Sequence, residues 1–270
     1  MYKALTRQQI DTFEREGALF PIPVLSADEV ARFRTAFERL EPCYGGAVKR
    51  LDYSHHFFRW AYDLATHPAV ADIMEDLLGP DIFIHSTRIF CKPPGDPAFV
   101  TWHQDGTHTN LNSKPAPSIW IALTDSTVES GCVRVIPRSH THGLFDHTDG
   151  HRIRDNLLNG ADQVAVAVDE ARAVDMVLRA GEMSLHHVNL IHGSNPNRSD
   201  TKRLGFAISY VTPAVGPSIL PAVRVRGQTD DHPFELMEEP PGLPLDEAVE
   251  AHAAFIRERR LSEVKVALPL

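Results

Sequence analysis

The spacing of hydrophobic residues along the chain changes near position 80. Before it, apolar side chains recur every three or four residues, which is the period of a helix that buries one face. The pattern predicts three helices, which run from Thr6 to a stop at Gly17, from Ser26 to about Leu40, and from Pro68 to Leu78. The second begins with a capping box formed by Ser26 and Glu29, whereas 41–65 has no clear period.

After position 80 the apolar residues alternate or form short β-branched runs between Pro, Gly and Asn clusters. This pattern predicts strands at 82–91, 98–104, 118–124, 131–136, 164–168, 182–187, 204–212 and 221–226. A final helix is predicted from Leu245 to Arg260. Helices followed by many short strands indicate a mainly β fold with flanking helices, in which a double-sheet jelly-roll barrel carries an N-terminal helical layer.

A chain of 270 residues fits a single domain of this type. We expect 1–80 to form the helical layer, 81–228 the jelly-roll core and 229–270 a C-terminal extension. The polar stretch 138–163 is long for a connection inside a compact domain, and such loops are often lids over functional sites.

Composition excludes several functional classes. The chain has 27 Lys and Arg against 36 Asp and Glu, a net charge of -9, which disfavours a nucleic-acid partner. No apolar run reaches the roughly 20 residues of a membrane span, and the first residues lack a signal-peptide pattern. Three widely spaced cysteines do not form a disulfide framework, so we expect a cytoplasmic protein.

Histidine is the residue that composition singles out, because nine of the fifteen histidines lie between His103 and His192. In the sequence Trp102-His103-Gln104-Asp105, strand alternation would place His103 and Asp105 on one face. An imidazole and a carboxylate on one face are two ligands of a metal-binding facial triad. A His and an Asp at a strand end can also cap a turn, so the short motif alone does not decide.

A third ligand would come from one of three histidines, His186, His187 and His192. Alternation groups His186 with His192, so periodicity leaves this choice open. Any of the three could instead be a hydrogen-bonded core histidine.

The predicted strand that begins near position 204 has two different faces. One face carries Leu204, Phe206, Ile208 and Tyr210, and the other carries Arg203, Gly205, Ala207 and Ser209. We expect the apolar face to pack against the helical layer. An arginine beside small residues leaves space next to a cation, and a buried guanidinium needs a carboxylate partner, which a bound dicarboxylate would supply. An arginine that reaches solvent from the strand start is the alternative.

These motifs together resemble the phytanoyl-CoA dioxygenase family of iron(II)- and 2-oxoglutarate-dependent oxygenases, which share a double-stranded β-helix (a cupin-like jelly roll). The resemblance extends from about Ile82 to Pro213 and rests on His103-x-Asp105, His192-Gly-Ser194, Arg203 and the segments 92–94, 118–125 and 131–140. It implies that His103, Asp105 and His192 bind iron. It also implies that Arg203 holds the far carboxylate of 2-oxoglutarate, assisted by Ser194, with Lys92 and Thr124 near that cosubstrate.

The resemblance implies a reaction as well. With Fe(II), 2-oxoglutarate and O2, the protein would hydroxylate a small molecule and release succinate and CO2. Because related halogenases replace the carboxylate ligand by a small residue, Asp105 favours hydroxylation over halogenation. Phe90 stands where some relatives have a polar residue, so a polar contact is not expected there.

Substrate contacts are expected from the loop 138–163, the segment 41–65 and the strand that carries Trp120. The candidate residues are Tyr53, His56, His108, Trp120 and Arg134. Their imidazole and guanidinium groups suit a small anionic substrate such as a carboxylate or a phosphonate. Two other functions remain open at this point: a zinc hydrolase, because such sites also bind zinc, and a non-catalytic barrel that serves as a binding module. Arg203 argues against the first, and the presence of all four site residues argues against the second.

Overall fold

The computed structural model describes residues 2–108, 117–148, 154–158, 163–215 and 221–267. Its helices are α1 (Arg7–Glu16), α2 (Ala27–Glu38), α3 (Arg59–Ala65), α4 (Pro68–Leu78) and α5 (Leu245–Ala267). The expected caps are present, since Thr6 and Ser26 both close capping boxes and Gly17 ends α1 in the left-handed conformation. No helix of this part of the chain is both long and apolar enough to cross a membrane.

The strands form two sheets. They are β1 (Ala18–Pro23), β2 (Arg50–Asp52), β3 (Ile82–Lys92), β4 (Val100–His103), β5 (Pro117–Ala122), β6 (Val133–Val135), β7 (Val174–Met176), β8 (Glu182–His187), β9 (His192–Ser194), β10 (Arg203–Val211) and β11 (Val223–Arg226). A seven-stranded sheet has the order β1-β8-β5-β10-β3-β11, with β2 also on β3, and a four-stranded sheet has the order β4-β9-β6-β7. All pairings between these strands are antiparallel, which confirms a mainly β jelly roll with flanking helices.

The strand predictions need correction at four places. The predicted strand at 164–168 is wrong, because only Val164 makes a bridge, to His147, and the exposed Val166 has no neighbouring strand among the described residues. The strand in this part of the chain is β7 instead. β1, β2 and β9 were missed. β1 contains two prolines, and it lies at the edge of its sheet, where a residue without an N–H group is tolerated.

The main hydrophobic core lies between the helices and the outer face of the seven-stranded sheet. Phe33 and Phe37 of α2 and Met74 of α4 belong to one buried cluster with Phe206 and Tyr210 of β10. The Tyr210 hydroxyl also donates to the backbone carbonyl of Ala65 at the end of α3. The apolar face of β10 therefore packs against the helical layer, as its alternation predicts.

A smaller cluster holds the inner faces of the two sheets together. It consists of Ala18, Trp120, Ala122, Val133, Val135, Met176, Leu178 and Leu190. This cluster does not fill the space between the sheets, because small side chains on β10 leave room beside it. The unfilled space is where the polar residues of interest meet.

Candidate active site

Three potential metal ligands meet at one end of the four-stranded sheet. His103 ends β4, His192 begins β9, and the two face each other in the antiparallel ladder. Asp105 begins the 3₁₀ turn after β4. Its Oδ1 lies 3.5 Å from Nε2 of His103 and 3.7 Å from Nε2 of His192, and one ligand atom from each residue lies within 4.8 Å of the other two. Because β4 ends at His103, the turn rather than strand alternation aims Asp105 at the histidines.

Backbone carbonyls orient both imidazoles for metal binding. Nδ1 of His103 donates to the carbonyl of Thr101 and Nδ1 of His192 donates to that of Leu190, each at 2.9 Å. A carbonyl can only accept, so each neutral ring carries its proton on Nδ1 and turns the Nε2 lone pair towards the other ligands. Burial, together with the neighbouring His103 and His186, holds the pKa of His192 well below its usual value, which favours the neutral form that ligates metals.

The second oxygen of Asp105 is held by two donors. Oδ2 accepts from the hydroxyl of Ser118 at 2.6 Å and from Nε2 of His186 at 3.2 Å. Burial works against the carboxylate charge, but the neighbouring imidazoles of His192, His103 and His186 hold the pKa of Asp105 well below its usual value. One oxygen is thus fixed by the protein, while the other faces the imidazoles.

The structure therefore separates the three histidines that the sequence left open. His192 belongs to the group that could hold a metal ion, whereas His186 bonds the far oxygen of Asp105 and its ring lies 4.3 Å from that of His192. His187 accepts the N–H of Asn189 with its Nδ1, and its ring lies 5.1 Å from that of His140.

A cavity opens beside these ligands, between the two sheets. Its volume is about 640 Å³, counting space that is open to solvent. The potential ligands form part of its wall together with Trp120 of β5, Ser194 of β9 and Arg203 of β10. A single space therefore joins the candidate metal site to the candidate cosubstrate arginine.

Two buried basic side chains near this cavity have no anionic partner among the described residues. Arg203 is 1% exposed, lies over the Trp120 ring at 4.6 Å, and has no hydrogen-bond partner at Nε. Lys92 lies opposite Arg203 in the β3–β10 ladder and donates to the Ser194 hydroxyl at 2.7 Å and to the carbonyl of Asn195 at 2.5 Å. Burial lowers the pKa of Arg203 to about 10, and burial together with Arg203 lowers that of Lys92 to about 6. Such a pair is costly to bury unless an anion joins it.

Gly205 makes room for the indole of Trp120. A Cβ atom at this position would lie 1.7 Å from Cζ2 of Trp120, so a larger residue would push the ring out of place. The ring is the surface on which the Arg203 guanidinium lies.

Comparison with known proteins agrees with this geometry. Residues 13–205 match the family model described as Phytanoyl-CoA dioxygenase (PhyH). The chain belongs to the phytanoyl-CoA dioxygenase family. This confirms the predicted family and the expectation of a dioxygenase that uses Fe(II), 2-oxoglutarate and O2, rather than a zinc hydrolase or a binding module.

Three known proteins are similar to this chain. A probable alpha-ketoglutarate-dependent hypophosphite dioxygenase of Stutzerimonas stutzeri is 27% identical over 176 residues, which cover 63% of this chain and 60% of that protein. An ectoine dioxygenase of Nocardia farcinica is 26% identical over 215 residues, 70% of this chain and 72% of that protein. The apo structure of the non-heme monooxygenase ThoJ superposes with a TM-score of 0.77 at 30% identity, covering 95% of this chain and 97% of ThoJ.

In this member of the phytanoyl-CoA dioxygenase family, Thr124 lies outside the described cavity wall. Its hydroxyl accepts the backbone N–H of Leu204 at 2.8 Å, directly after Arg203. Thr124 is thus placed to fix the start of β10.

The five predicted substrate contacts have different positions. Trp120 lines the cavity. Tyr53 and His56 stack on each other at 6.3 Å, in the segment beside β3. Arg134 pairs with Glu170 and Asp175 outside the described cavity wall, and the side chain of His108 lies outside the described residues. The described parts of 41–65 and 138–163 contribute no residue to the wall.

Sequence reasoning missed several cavity residues on β3, namely Ser86 and Arg88, as well as Ser118 on β5. The signal for the first two is simple alternation. Both share the parity of Lys92, so they point to the same face of the strand.

Proposed function

We propose that the protein is an iron(II)- and 2-oxoglutarate-dependent dioxygenase that hydroxylates a small molecule and releases succinate and CO2. The proposal rests on one observation. A His-Asp-His ligand group shares its cavity with a buried guanidinium, that of Arg203, which has no anionic partner among the described residues. A metal site explains the first group, and a dicarboxylate cosubstrate explains the second.

His103, Asp105 and His192 would hold the iron. Their donor set of two neutral imidazoles and one carboxylate is the set that suits Fe(II) and leaves positions on the metal for other ligands. When bound, iron and 2-oxoglutarate would activate O2, with one oxygen atom entering succinate as the cosubstrate loses CO2 and the other entering a C–H bond of the substrate.

The protein's own contribution is to orient and to enclose. Arg203 would bind the far carboxylate of 2-oxoglutarate, and Lys92 from the neighbouring strand β3 and Ser194 from β9 would donate to the same carboxylate. Trp120 keeps the guanidinium in place, and the Thr124 hydroxyl positions it through the backbone of Leu204. Because Arg203 and Lys92 are almost free of solvent contact, the carboxylate that joins them is shielded from water.

The substrate is proposed to be a small anionic compound, a carboxylate or a phosphonate. The relatives named above are dioxygenases of ectoine and, in the S. stutzeri case, hypophosphite, which are small molecules. A cytoplasmic location is supported by Cys43, Cys91 and Cys132, all of which are unpaired.

The decisive experiment is the anaerobic addition of Fe(II) and 2-oxoglutarate to the apo-protein. A visible metal-to-ligand charge-transfer band is expected, and folded protein that gives no band would contradict the proposal. Asp105→Ala and His192→Ala should lose the band, whereas His186→Ala should retain it. Arg203→Gln should raise the 2-oxoglutarate concentration needed for the band by roughly 100-fold, because it removes one partner of a buried charge pair.

A further inference from the structure

A row of polar side chains crosses the inner face of the seven-stranded sheet, starting at the candidate metal site. His186 of β8 lies opposite Ser118 of β5, Ser118 lies opposite Ser209 of β10, and Ser209 lies opposite Ser86 of β3. All four line the cavity. The first two are occupied by Asp105, so the hydroxyl groups of Ser209 and Ser86 remain for a ligand.

Arg88 follows this row on β3 and also lines the cavity. Its Nε donates to Oδ1 of Asp52 on the adjacent β2 at 2.5 Å. Arg50 donates to both oxygens of the same carboxylate, at 2.9 and 3.1 Å, and to the carbonyl of Leu157. The single carboxylate of Asp52 thus pairs with two guanidinium groups, those of Arg50 and Arg88. It can neutralise only one of the two positive charges, so a net positive charge remains at the cavity wall.

The charge of Arg88 acts towards the metal site. Burial opposes that charge, but Asp52 and Asp105 together raise the pKa of Arg88 above its usual value. Arg88 and Asp105 both form part of the cavity wall, so the guanidinium and the candidate metal site face one space. Arg50, in contrast, is absent from the described cavity wall.

Arg88 lies too far from Arg203 for both to bind the same carboxylate group. In the β3–β10 ladder Arg88 lies opposite Ala207, and Lys92 lies opposite Arg203, four residues further along the strand or about 13 Å. Ser118 lies two strand spacings across the sheet and two residues along it from Arg88, so their Cα atoms are about 12 Å apart. The space between them suits a molecule of only a few bonds.

We propose that Arg88 is the substrate anchor of this cavity and binds the oxyanion of a small organic acid, with the hydroxyls of Ser209 and Ser86 meeting its polar groups. The inference rests on the proposed function, since it places the carbon to be oxidised beside His103, Asp105 and His192. The fork of an arginine binds a carboxylate or a phosphonate with two parallel hydrogen bonds, and of the Arg88 guanidinium only Nε has a hydrogen-bond partner among the described residues.

The competing explanation is that Arg88 has only a structural role and stabilises the pairing of β2 with β3 through its hydrogen bond to Asp52. Arg50 provides the matched control, because it bonds the same carboxylate from outside the described cavity wall. Arg50→Gln and Arg88→Gln each remove one guanidinium from Asp52, but only the second removes the charge from the cavity.

The test is calorimetric titration of protein loaded with Mn(II) and 2-oxoglutarate. The probes are straight-chain acids from propionate to octanoate, alkylphosphonates of the same lengths, and the matching primary amides. At least one acid should bind roughly tenfold or more tightly than its amide. Arg88→Gln should remove this preference, Arg88→Lys should restore part of it, and Arg50→Gln should keep it.

Three outcomes would overturn the proposal: no acid of the series preferred over its amide, equal loss of the preference in Arg50→Gln and Arg88→Gln, or loss in Arg203→Gln but not in Arg88→Gln. The last would place the acid in the cosubstrate site. The charge-transfer band reports separately on the proposed function. If that band failed to form, the same titration without 2-oxoglutarate would still test whether Arg88 distinguishes acid from amide.

Discussion

At the scale of single residues, Lys92 has the most unusual environment of the cavity. Its ammonium group is buried, its hydrogen bonds go to a hydroxyl and a carbonyl, and its pKa falls to about 6. In the ligand-free protein at pH 7.5 it is therefore mostly neutral. A carboxylate bound to Arg203 favours the charged form, so the pKa of Lys92 rises on binding and the lysine takes up a proton.

We predict that binding of 2-oxoglutarate at pH 7.5 takes up about one proton, and that affinity weakens by up to about tenfold per pH unit above pH 6. Calorimetry in two buffers with different ionisation enthalpies measures the proton count. Lys92→Met should abolish the uptake. Lys202→Met is the control, because Lys202 pairs with Glu41, whereas Lys92 donates to Ser194 of the cavity wall. A proton count near zero in the wild type would contradict the assigned role of Lys92.

The choice of His192 as the third potential metal ligand is one that strand alternation alone could not make. Alternation groups His186 with His192 only if the period of the predicted strand at 182–187 continues through position 192, as in one strand. In the structure His186 lies on β8 and His192 on β9, in different sheets, so their parity carries no information. The resemblance identified His192 because it compares whole motifs. Arg88 was overlooked for another reason: its importance depends on Asp52 and Arg50, which are distant in sequence and meet it only through the β2–β3 pairing.

At the scale of elements, β10 separates stability from binding on its two faces. Phe206 is fully buried against the helices, and Phe→Ala substitutions at such positions cost about 3–5 kcal/mol. Gly205, its neighbour on the inner face, gives space to Trp120.

We predict that Phe206→Ala lowers the free energy of unfolding by that amount, while the folded protein binds 2-oxoglutarate normally. Gly205→Ala should raise the dissociation constant of 2-oxoglutarate roughly tenfold, because Trp120 must move and Arg203 lies on it. Denaturant unfolding and titration of the charge-transfer band measure the two quantities. Unchanged 2-oxoglutarate binding in Gly205→Ala would refute the role given to the indole.

Element prediction succeeded where local signals decide and failed where pairing decides. The capping boxes at Thr6 and Ser26 fix helix starts from within a few residues, and the long alternation of β10 fixes its two faces. In contrast, 164–168 is a β-branched apolar run that pairs with no strand among the described residues, whereas β1 has two prolines and still pairs with β8. Such pairing depends on distant chain segments, which no local pattern contains.

At the scale of the whole molecule, the site divides between the two sheets. His103 and His192 belong to the four-stranded sheet, whereas Arg203 and Lys92 belong to the seven-stranded sheet. In the ligand-free protein, the described polar contacts between the two sides are those of Asp105 with Ser118 and His186 and those of Lys92 with Ser194 and Asn195. A metal ion joined to a dicarboxylate would connect the sheets across the cavity, so it would stabilise their packing as well as occupy the site.

We predict that Mn(II) and 2-oxoglutarate together stabilise the fold more than either does alone. At ligand concentrations about 100 times the dissociation constant the gain is about 2.7 kcal/mol, which for a chain of this size raises the unfolding temperature by about 5–10 °C. Arg203→Gln should keep the increment due to Mn(II) and lose that due to 2-oxoglutarate, and His192→Ala should lose both.

Differential scanning calorimetry of these variants measures the unfolding temperatures. It distinguishes stabilisation by a ligand that connects the two sheets from stabilisation by a ligand that only occupies the metal site. Arg134→Gln is the control, because Arg134 belongs to the four-stranded sheet and its ion pairs with Glu170 and Asp175 lie outside the described cavity wall. It should alter the starting temperature at most and keep both increments. If 2-oxoglutarate stabilised Arg203→Gln as much as the wild type, the dicarboxylate would not reach the seven-stranded sheet through Arg203. Its stabilising effect would then have to come from the metal side alone.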